Sequence, residues 1–462
     1  MAGQNSEYLD PIQATLLPFR AFRYNPQHPE VQLGALVAPP GESGGAESKR
    51  HAAQNPYHAL RLFPTSGGKS NPAALEHHER EGLHQTLRAW QDAQVLLQDP
   101  TPALYLHTLS FSDETGRRET RRGFFAMLAL REEGSVRILP HENTLPARLT
   151  RQVQIFEALA LQPLPIFLSY SDPQNLLLAR LEPLAEPLLS FTDALEQQHT
   201  LARVPAQALE GWFESLLAGR ELLIADGHHR FDALRELWRQ HGGVSSPAFE
   251  QAAGAEALVG VYLTPMEASG FKVGAIHRVI KRLTQPTEAL ERLAEVYTLQ
   301  RHPLPELPAA GDREALRQWD REVAHQLLEA LQRKGTGAFA LLPQGERVWL
   351  LLESRRDVAH PSLASCPEAL QALDVSRLAS ELLPALAGAH SLEVEYEKDV
   401  LRAIREVREG TQGLALLLNP MTPEQILNVA RAGLVMPPKA TYFYPKIAAG
   451  LVAMALPGKH EP

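Results

Sequence analysis

The chain has 462 residues and a mass of 51.1 kDa, which allows about two to four folding units at roughly 100 to 200 residues per domain. Hydrophobic residues make up 44% and charged residues 21%, a globular composition that excludes bulk disorder, collagen-like repeats and a coiled coil. With 45 Lys and Arg against 54 Asp and Glu, the net charge of -9 gives no reason to expect nucleic acid or an anionic membrane as a partner.

The sequence also predicts the cellular compartment. Cys366 is the single cysteine, so an intramolecular disulfide is excluded and a reducing compartment is expected, with the thiol as a small buried residue. No apolar run approaches the roughly 18 residues that span a bilayer, and the first ten residues do not resemble a signal peptide. We therefore expect a cytoplasmic protein that does not enter a membrane, and the sequence leaves its oligomeric state open.

Four regions differ in their pattern of apolar and turn residues. The first holds two Gly/Ser-rich stretches, 41–48 and 65–72, which predict flexible surface loops. The second alternates predicted strands with one clear helix, which is typical of a mixed α/β core. The third region is mostly helical, which predicts a second domain or an insertion. The fourth region is predicted to pack back on the core. Together they predict an α+β fold, with the regions at 1–100, 101–285, 286–400 and 401–462.

Strand propensity and turn residues predict the elements of the second region in order. Two strand-like runs on either side of the charged stretch at 113–122 predict a hairpin. A later apolar strand leads through Asp-Gly into a helix, because Phe231, Leu234 and Trp238 recur at spacings of three and four. The runs predicted as strands are ALYLHTLSF, GFFAMLAL, VRILP, PIFLSY, LLLARLE, ALVGVYLTP and FKVGAIHRVI.

The densest polar cluster lies between that strand and that helix. It consists of Asp226, Gly227, His228, His229 and Arg230. Backbone N–H groups and the helix dipole favour an anion at a helix start, and Arg230 with the two imidazoles adds donors. Asp226 can hold a metal or orient a histidine. The local alternative is that Asp226 caps the helix while the histidines and Arg230 lie on its solvated face.

A second polar cluster, HENT at 141–144, follows the predicted strand VRILP. Its carboxylate beside an amide and a hydroxyl can bind Mg²⁺ or activate a hydroxyl group. Arg148 and Arg151 follow at helical spacing and can meet phosphate. The local alternative is that Asn143 or Thr144 caps the helix that carries these arginines, with the carboxylate favouring its N-terminus.

The tail MPPKATYFYPK, near the C-terminal end of the sequence, carries Lys439 and Lys446 beside three aromatic residues. Such a mixture can bind phosphate and stack a base. The competing interpretation is a Pro-bounded strand whose alternating aromatic residues fill a core. Both interpretations are retained.

Three further motifs have a stronger local explanation. Gly-Gly-Lys-Ser at 67–70 lacks the glycine spacing and the preceding strand of a P-loop. Residues 276–278 lie at the end of a predicted strand, where the histidine either belongs to a functional site or is exposed to solvent. His77, Glu81 and His84 fall on one face of a predicted helix and could bind a divalent metal. A solvated, charged helix face is the favoured interpretation of these three residues.

Taken in order, the motifs resemble those of a bacterial family catalogued as domain of unknown function 1015. The resemblance runs from about residue 12 to residue 452, and its DGHHR and PPKATYFYPK strings are the most specific. One departure follows Pro40, where the family continues with Tyr-Asp and this chain has Gly41-Glu42. The motifs are LLPFRAFRYNP, VAPP, NPYHALRL, HENT, IADGHHRFDAL, HRVI and MPPKATYFYPK.

That family in turn resembles the ParB and sulfiredoxin superfamily, which implies an α+β fold with a mixed-sheet core. In the superfamily a Gly-centred, Arg-bearing loop at a helix start binds nucleotide phosphates, and DGHHR is similar to that loop. HENT is similar to the Glu-Asn metal element of the ParB nucleotidases, although its order in the chain differs. Free serine kinases of the same superfamily use a carboxylate to activate the substrate hydroxyl.

Resemblance and local chemistry together suggest a role for each residue. Glu142 is expected to be the base or a Mg²⁺ ligand, with Asn143 as a second ligand, and His228 and Asp226 are expected to take part in catalysis. The residues expected to bind substrate or phosphate are His141, Asn143, Thr144, Arg148, Gly227, His229, Arg230, Lys439 and Lys446.

Three functions remain open from the sequence. The first is a Mg²⁺- and nucleotide-dependent phosphotransferase that uses ATP or ADP and acts on a small hydroxylated metabolite, with free L-serine the leading candidate. The second is a nucleotide-binding switch without turnover. The third is a hydrolase in which Zn²⁺ or Mn²⁺ is held by four side chains of the two clusters. In the hydrolase, the four metal-binding side chains would be His141, Glu142, His228 and His229. Both the phosphotransferase and the hydrolase require HENT and DGHHR to face each other.

Overall fold

The computed structural model describes residues 11–37, 52–63, 74–113, 116–244, 249, 252–410 and 413–457. These residues form two compact units, a larger one of 11–272 with 445–457 and a smaller one of Val273–Tyr444. The region predicted as a second domain, 286–400, falls inside the smaller unit. The stretches 41–48 and 65–72, with the departure after Pro40 and the Gly-Gly-Lys-Ser motif, lie outside the described residues.

The described residues of the larger unit combine short and long strands with several helices. Its helices are α1 (Leu33–Leu36), α2 (His77–Asp92), α3 (Pro146–Leu159), α4 (Leu176–Leu181), α5 (Phe213–Leu217) and α6 (His228–Gln240). Its strands are β1 (Ile12–Leu17), β2 (Ala21–Tyr24), β3 (Leu96–Gln98), β4 (Ala103–Ser112), β5 (Arg118–Leu130), β6 (Val136–Leu139), β7 (Leu161–Gln162), β8 (Ile166–Tyr170), β9 (Glu186–Thr192), β10 (Gln198–Pro205), β11 (Arg220–Asp226), β12 (Ala257–Pro265) and β21 (Ala453–Ala455).

Six of these strands close into a ring. The order is β1-β6-β11-β8-β12-β5, and β5 pairs again with β1. Closure is possible because β5 is long: its second half pairs with β1 and β12, while its first half pairs with β4. Strands β4, β10 and β9 extend the sheet from there, and β3-β2-β21-β7 form a separate small sheet.

One parallel pair inside the ring determines where the polar clusters lie. Strand β6 runs parallel to β11, with Leu139 opposite Leu223. Their carboxyl ends therefore lie at the same edge of the sheet. Since HENT follows β6 and DGHHR follows β11, the two motifs leave the sheet side by side.

The smaller unit is built on a six-stranded antiparallel sheet of order β15-β17-β16-β19-β14-β18. Its strands are β13 (Lys272–Gly274, beginning on the last residue of the larger unit), β14 (His277–Ile280), β15 (Tyr297–Pro303), β16 (Ala338–Pro343), β17 (Val348–Ser354), β18 (Val394–Glu397), β19 (Leu414–Leu418) and β20 (Tyr442–Tyr444). Its helices are α7 (Pro286–Val296), α8 (Arg313–Lys334), α9 (Pro361–Ala364), α10 (Glu368–Gln371), α11 (Asp374–Arg377), α12 (Leu383–Ala387), α13 (Val400–Glu409) and α14 (Pro423–Arg431).

Helices α8 and α13 cover one face of this sheet. Val323 and Leu327 of α8 and Ile404 of α13 are buried against Val279 and Ala415 of the strands. Both helices are amphipathic, so burial of one apolar stripe stabilises them where isolated helices of this length are marginal.

Cys366 is half-exposed, so the prediction of a buried thiol is wrong.

The fold class is α+β with mixed sheets, as the sequence predicts. The hairpin around 113–122 is confirmed by the antiparallel pair β4 and β5, with Ser112 opposite Arg118. The predicted strand LLLARLE is wrong, because it forms α4 and buries Leu177 and Leu181 on one helical face. A short apolar run fits a buried helix as well as a strand. Among the described residues, no helix has both the length and the apolar composition to cross a membrane.

Candidate functional site

The HENT and DGHHR clusters are in direct contact at the shared edge of β6 and β11. The backbone N–H of His141 donates to the Nε2 of His228 at 3.3 Å. The two imidazole rings meet edge to face, with centroids 4.5 Å apart and an interplanar angle of 83°. The expectation that the two motifs face each other is therefore met in the folded chain.

His228 is a buried, neutral histidine that lies between the backbone of HENT and its carboxylate. Burial, together with the charges of His229 and Arg230, lowers the pKa of His228 to about 3. Because its Nε2 accepts the N–H of His141, the proton of the neutral ring belongs on Nδ1, a tautomer assigned from these contacts. Nδ1 lies 3.7 Å from the Oε2 of Glu142. The protonated nitrogen of His228 is therefore the one beside Glu142, at a distance longer than a hydrogen bond.

Glu142 is partly exposed next to buried His228. Its side chain is 31% exposed, whereas that of His228 is 5% exposed. Asn143 next to it is exposed. Mg²⁺ in proteins commonly binds one or two carboxylates and takes its remaining ligands from water and substrate phosphates. One carboxylate with one amide oxygen fits that pattern.

A metal site held by protein side chains alone is not formed in the described part of the chain. No three His, Cys, Asp or Glu side chains converge there in a way that could hold an ion. Structural and catalytic zinc sites need three or four such ligands. The alternative hydrolase site of His141, Glu142, His228 and His229 is therefore not supported by the geometry.

The start of α6 has the properties of an anion site. The helix begins at His228, Gly227 precedes it with φ of 105°, and no side chain caps the N-terminus. Backbone N–H groups in the first turn of such a helix point outwards, and the helix dipole favours negative charge. The alternative in which Asp226 caps the helix is wrong, because Asp226 is the last residue of β11 and binds two cations instead.

Asp226 is held between Arg230 and Lys446. Its Oδ2 accepts from the Nη2 of Arg230 at 2.5 Å, and its Oδ1 accepts from the Nζ of Lys446. Burial alone would raise the pKa of Asp226, but the charges of Lys446 and Arg230 outweigh burial and hold the pKa below its ordinary value. Two cations around one anion leave a net positive charge next to the start of α6.

Arg230 also fixes the position of α6 against the ring. Its Nη1 donates to the carbonyl oxygens of Leu164 at 3.2 Å and Pro165 at 2.7 Å, directly before β8. Its side chain is 14% exposed, and burial lowers its pKa. The guanidinium thus joins α6, β8 and the end of β11 in one place.

Two more contacts tie HENT to α6. The Oγ1 of Thr144 donates to the Oδ2 of Asp232 at 2.8 Å, and the backbone N–H of Leu145 donates to the Nε2 of His229 at 3.0 Å. The alternative in which Asn143 or Thr144 caps the following helix is wrong, because α3 begins at Pro146 after Leu145 and no side chain caps it. Sequence reasoning missed Asp232, although its spacing of four from His228 places both on one helical face.

Not every predicted residue joins the cluster. Arg148 is exposed on α3. Arg151 lies 3.8 Å from Glu79 of α2. Lys439 belongs to the smaller unit, where it is exposed and has left-handed backbone with φ of 58°. Lys446, which belongs to the same unit as DGHHR, contacts Asp226.

Comparison with known proteins gives one family and several distant structures. The sequence profile of the family described as "Protein of unknown function (DUF1015)" matches residues 16–376. No curated protein sequence matches the chain. Similar solved structures include a free serine kinase in complex with AMP, at 14% identity over 66% of this chain and 83% of that chain, with a TM-score of 0.33. They also include a conserved hypothetical protein from Pyrococcus furiosus, at 15% identity over 67% of this chain and 88% of that chain, with a TM-score of 0.30.

Proposed function

Since the chain belongs to the DUF1015 family, whose function is not known, we propose an activity from its own site: a Mg²⁺- and nucleotide-dependent phosphotransferase acting on a small hydroxylated metabolite. Free L-serine is the first acceptor to test, and ATP or ADP is the phosphate donor. We further propose that the ring of strands is a core of the ParB and sulfiredoxin type, on the motif resemblance. The observation that carries the proposed activity is the contact of Glu142 with buried, neutral His228 beside the uncapped start of α6.

The acceptor side of the reaction needs a carboxylate that is held in place and still open. A general base must lie within hydrogen-bond reach of the hydroxyl from which it takes a proton. The Oε2 of Glu142 lies 3.7 Å from the Nδ1 of buried His228, and the side chain of Glu142 is 31% exposed. The same property suits Glu142 if it is a Mg²⁺ ligand.

The donor side needs positive charge that is already in place. Phosphoryl transfer depends mostly on positioning and on stabilisation of charge on the phosphate oxygens. The first turn of α6 supplies oriented N–H groups, and the Arg230–Asp226–Lys446 triplet supplies a net positive charge. When Mg²⁺ is bound, its charge offsets that of the phosphates, and Asn143 with Glu142 is the pair that would hold it.

The test of this proposal is direct detection of the product. The full chain is incubated with Mg²⁺, L-serine and either ATP or ADP, and O-phosphoserine is measured by mass spectrometry. We expect product that forms repeatedly per protein molecule and disappears when the divalent cation is chelated. Glu157→Gln is the matched control, because it removes an exposed carboxylate from α3 and leaves the cluster intact.

The result that would overturn the serine kinase assignment is equally clear. Absence of O-phosphoserine with both nucleotides, at protein concentrations near that of the substrate, would contradict it. If nucleotide binding persisted in that case, the nucleotide-binding switch would become the better account.

A further inference from the structure

A buried arginine in the smaller unit lacks a carboxylate partner. Arg278 is the second residue of β14 and is 3% exposed. Its guanidinium donates to the backbone carbonyl oxygens of Ile276 and Lys439, the latter at 3.2 Å, and its Cζ lies 4.6 Å from the ring centroid of Tyr396. Among the described residues, no carboxylate forms an ion pair with Arg278, and no acceptor meets its Nε.

The uncompensated charge calls for an explanation. Burial lowers the pKa of Arg278 to about 10, so the group remains charged at neutral pH. A buried charge without a counter-ion is strongly unfavourable unless hydrogen bonds or an anion offset it. The carbonyl contacts offset part of that cost, and the Nε–H is left as a donor without an acceptor.

The acidic residues of the neighbouring strand point away from Arg278. In β18, Tyr396 lies opposite Arg278, so the residues on either side of Tyr396 belong to the other face of the sheet. There the carboxylate of Glu395 binds Lys281 at 2.9 Å, and that of Glu397 binds Arg402 at 3.1 Å. The carboxylates of Glu395 and Glu397 are therefore paired with other cations and do not offset the charge of Arg278.

Two lysines and a pair of aromatic rings belong to the segments that contact Arg278 or continue from its contacts. Lys398 follows Tyr396 by two residues, and its Nζ donates to the Oη of Tyr442 at 2.9 Å. The backbone carbonyl of exposed Lys439 is held by Arg278 itself. The rings of Tyr442 and Tyr444 stack with centroids 5.8 Å apart and an interplanar angle of 11°.

Gly274 makes room for this aromatic pair. A Cβ at position 274 would lie 3.1 Å from Tyr442 and 3.3 Å from Tyr444, closer than ordinary contacts. Flat aromatic rings next to cations are the chemistry with which proteins bind a base and its phosphate. The pair therefore adds a stacking surface to the positive charge.

We propose that Arg278, Lys398 and Lys439 bind the phosphate groups of a phosphate-bearing ligand in the smaller unit, with Tyr442 and Tyr444 as the adjoining aromatic surface. The proposal does not rest on the phosphotransferase activity, because no residue of the HENT and DGHHR clusters takes part. The shared chemistry is the phosphate, and the ligand is either a nucleotide or a simpler phosphate.

Lysine footprinting on the full chain tests the proposal residue by residue. The chain has nine lysines, so trace acetylation followed by mass spectrometry can follow each one separately. The probes are ADP, pyrophosphate and adenosine. We expect ADP or pyrophosphate to slow acetylation of Lys398 and Lys439 about tenfold, because a hydrogen bond between charged groups must break before the amine can react. Adenosine, which has no phosphate, should have no such effect. Lys334, on α8, is the control lysine and should react at an unchanged rate.

The two arms separate a nucleotide from a simple phosphate site. Protection by ADP but not by pyrophosphate assigns a nucleotide, and equal protection by both assigns the phosphate groups alone. Arg278→Gln should abolish the protection of both lysines. If that variant does not fold, Lys398→Gln should still weaken the protection of Lys439.

The same experiment keeps this proposal separate from the proposed activity. Lys446 reports on the start of α6, because it binds Asp226. Protection of Lys446 without protection of Lys398 and Lys439 would overturn the site in the smaller unit and leave the proposed activity standing. Protection of Lys398 and Lys439 that persists in folded Arg278→Gln would also overturn it.

Discussion

The Nδ1 of His228 lies 3.7 Å from the Oε2 of Glu142, while its Nε2 accepts the backbone N–H of His141. One neutral ring therefore accepts from the backbone of HENT and lies beside the carboxylate of HENT. We propose that His228 is a positioning residue, whose loss should act through Glu142.

Substitution of His228 should lower the turnover number more than it weakens nucleotide binding. His228→Ala removes the group that orients Glu142, and loss of such an orienting partner typically costs about 10- to 100-fold in activity. His228→Asn retains a side-chain donor and should recover part of the rate. Steady-state kinetics with varied nucleotide measure kcat and KM for the three proteins. Equal kcat values for wild type and both variants would contradict the positioning role.

The free energy of unfolding should fall as the pH decreases below about 6.5. The folded state holds His228 neutral until its pKa of about 3 is reached, whereas the unfolded chain binds a proton near the ordinary pKa of histidine. Between these two pKa values the unfolded state therefore binds more protons than the folded state. The free energy of unfolding then falls by at most about 1.4 kcal/mol for each unit of decrease in pH and for each such group. His277, with its pKa lowered to about 4 by burial and by the charge of Arg278, acts in the same direction.

Urea unfolding at about pH 7, 6 and 5 measures this dependence. His228→Gln should show a shallower loss of stability below pH 6.5 than wild type, by about 1 kcal/mol per pH unit. An identical slope in the two proteins would mean that His228 is protonated in the folded state.

Asp226 and Lys446 should be energetically coupled. Asp226→Asn leaves two cations close together and should reduce the free energy of unfolding by about 1–3 kcal/mol, a value below that of a fully buried pair because Asp226 is 33% exposed. Lys446→Gln should cost less, since Arg230 still balances Asp226. A double-mutant cycle measured by urea unfolding should give a coupling of about 0.5–3 kcal/mol; strict additivity of the two changes would argue against the ion pair.

Gly227 should tolerate no side chain. Gly227→Ala puts an L-residue at φ of 105° and brings a Cβ to 2.9 Å from the Nη2 of Arg230 and 3.1 Å from Ile166. We expect a loss of stability of about 1–3 kcal/mol from backbone strain, with a further loss from crowding. Gly211→Ala is the matched control, since Gly211 also has positive φ but no atom within 4 Å of a Cβ. Equal changes in Tm for the two variants would exclude crowding by Arg230.

Local features of the fold could be predicted from the sequence, whereas long-range contacts could not. The helix at 228–240 follows from the apolar spacing of Phe231, Leu234 and Trp238, and the hairpin β4–β5 follows from strand propensity around a charged turn. The closed ring depends on β5 pairing with β1, more than a hundred residues earlier in the chain. No local pattern specifies that pairing.

The candidate site shows the same division. The motifs HENT and DGHHR indicated which residues to examine, and the parallel pair β6–β11 brings them together. The contact between Asp226 and Lys446 spans 220 residues, so no local pattern distinguishes Lys446 from Lys439. Asp232 was missed because its partner, Thr144, comes from another strand end.

The measurement that tests the central claim most directly is the rate of O-phosphoserine formation by Glu142→Gln. This variant keeps the size of the side chain and removes the carboxylate, so it should fold normally and lose about 10²- to 10⁴-fold in kcat, the usual contribution of a general base. Wild type and Glu157→Gln are compared under the same conditions. A rate for Glu142→Gln equal to that of wild type would contradict the claim that this carboxylate, positioned by His228, carries the reaction.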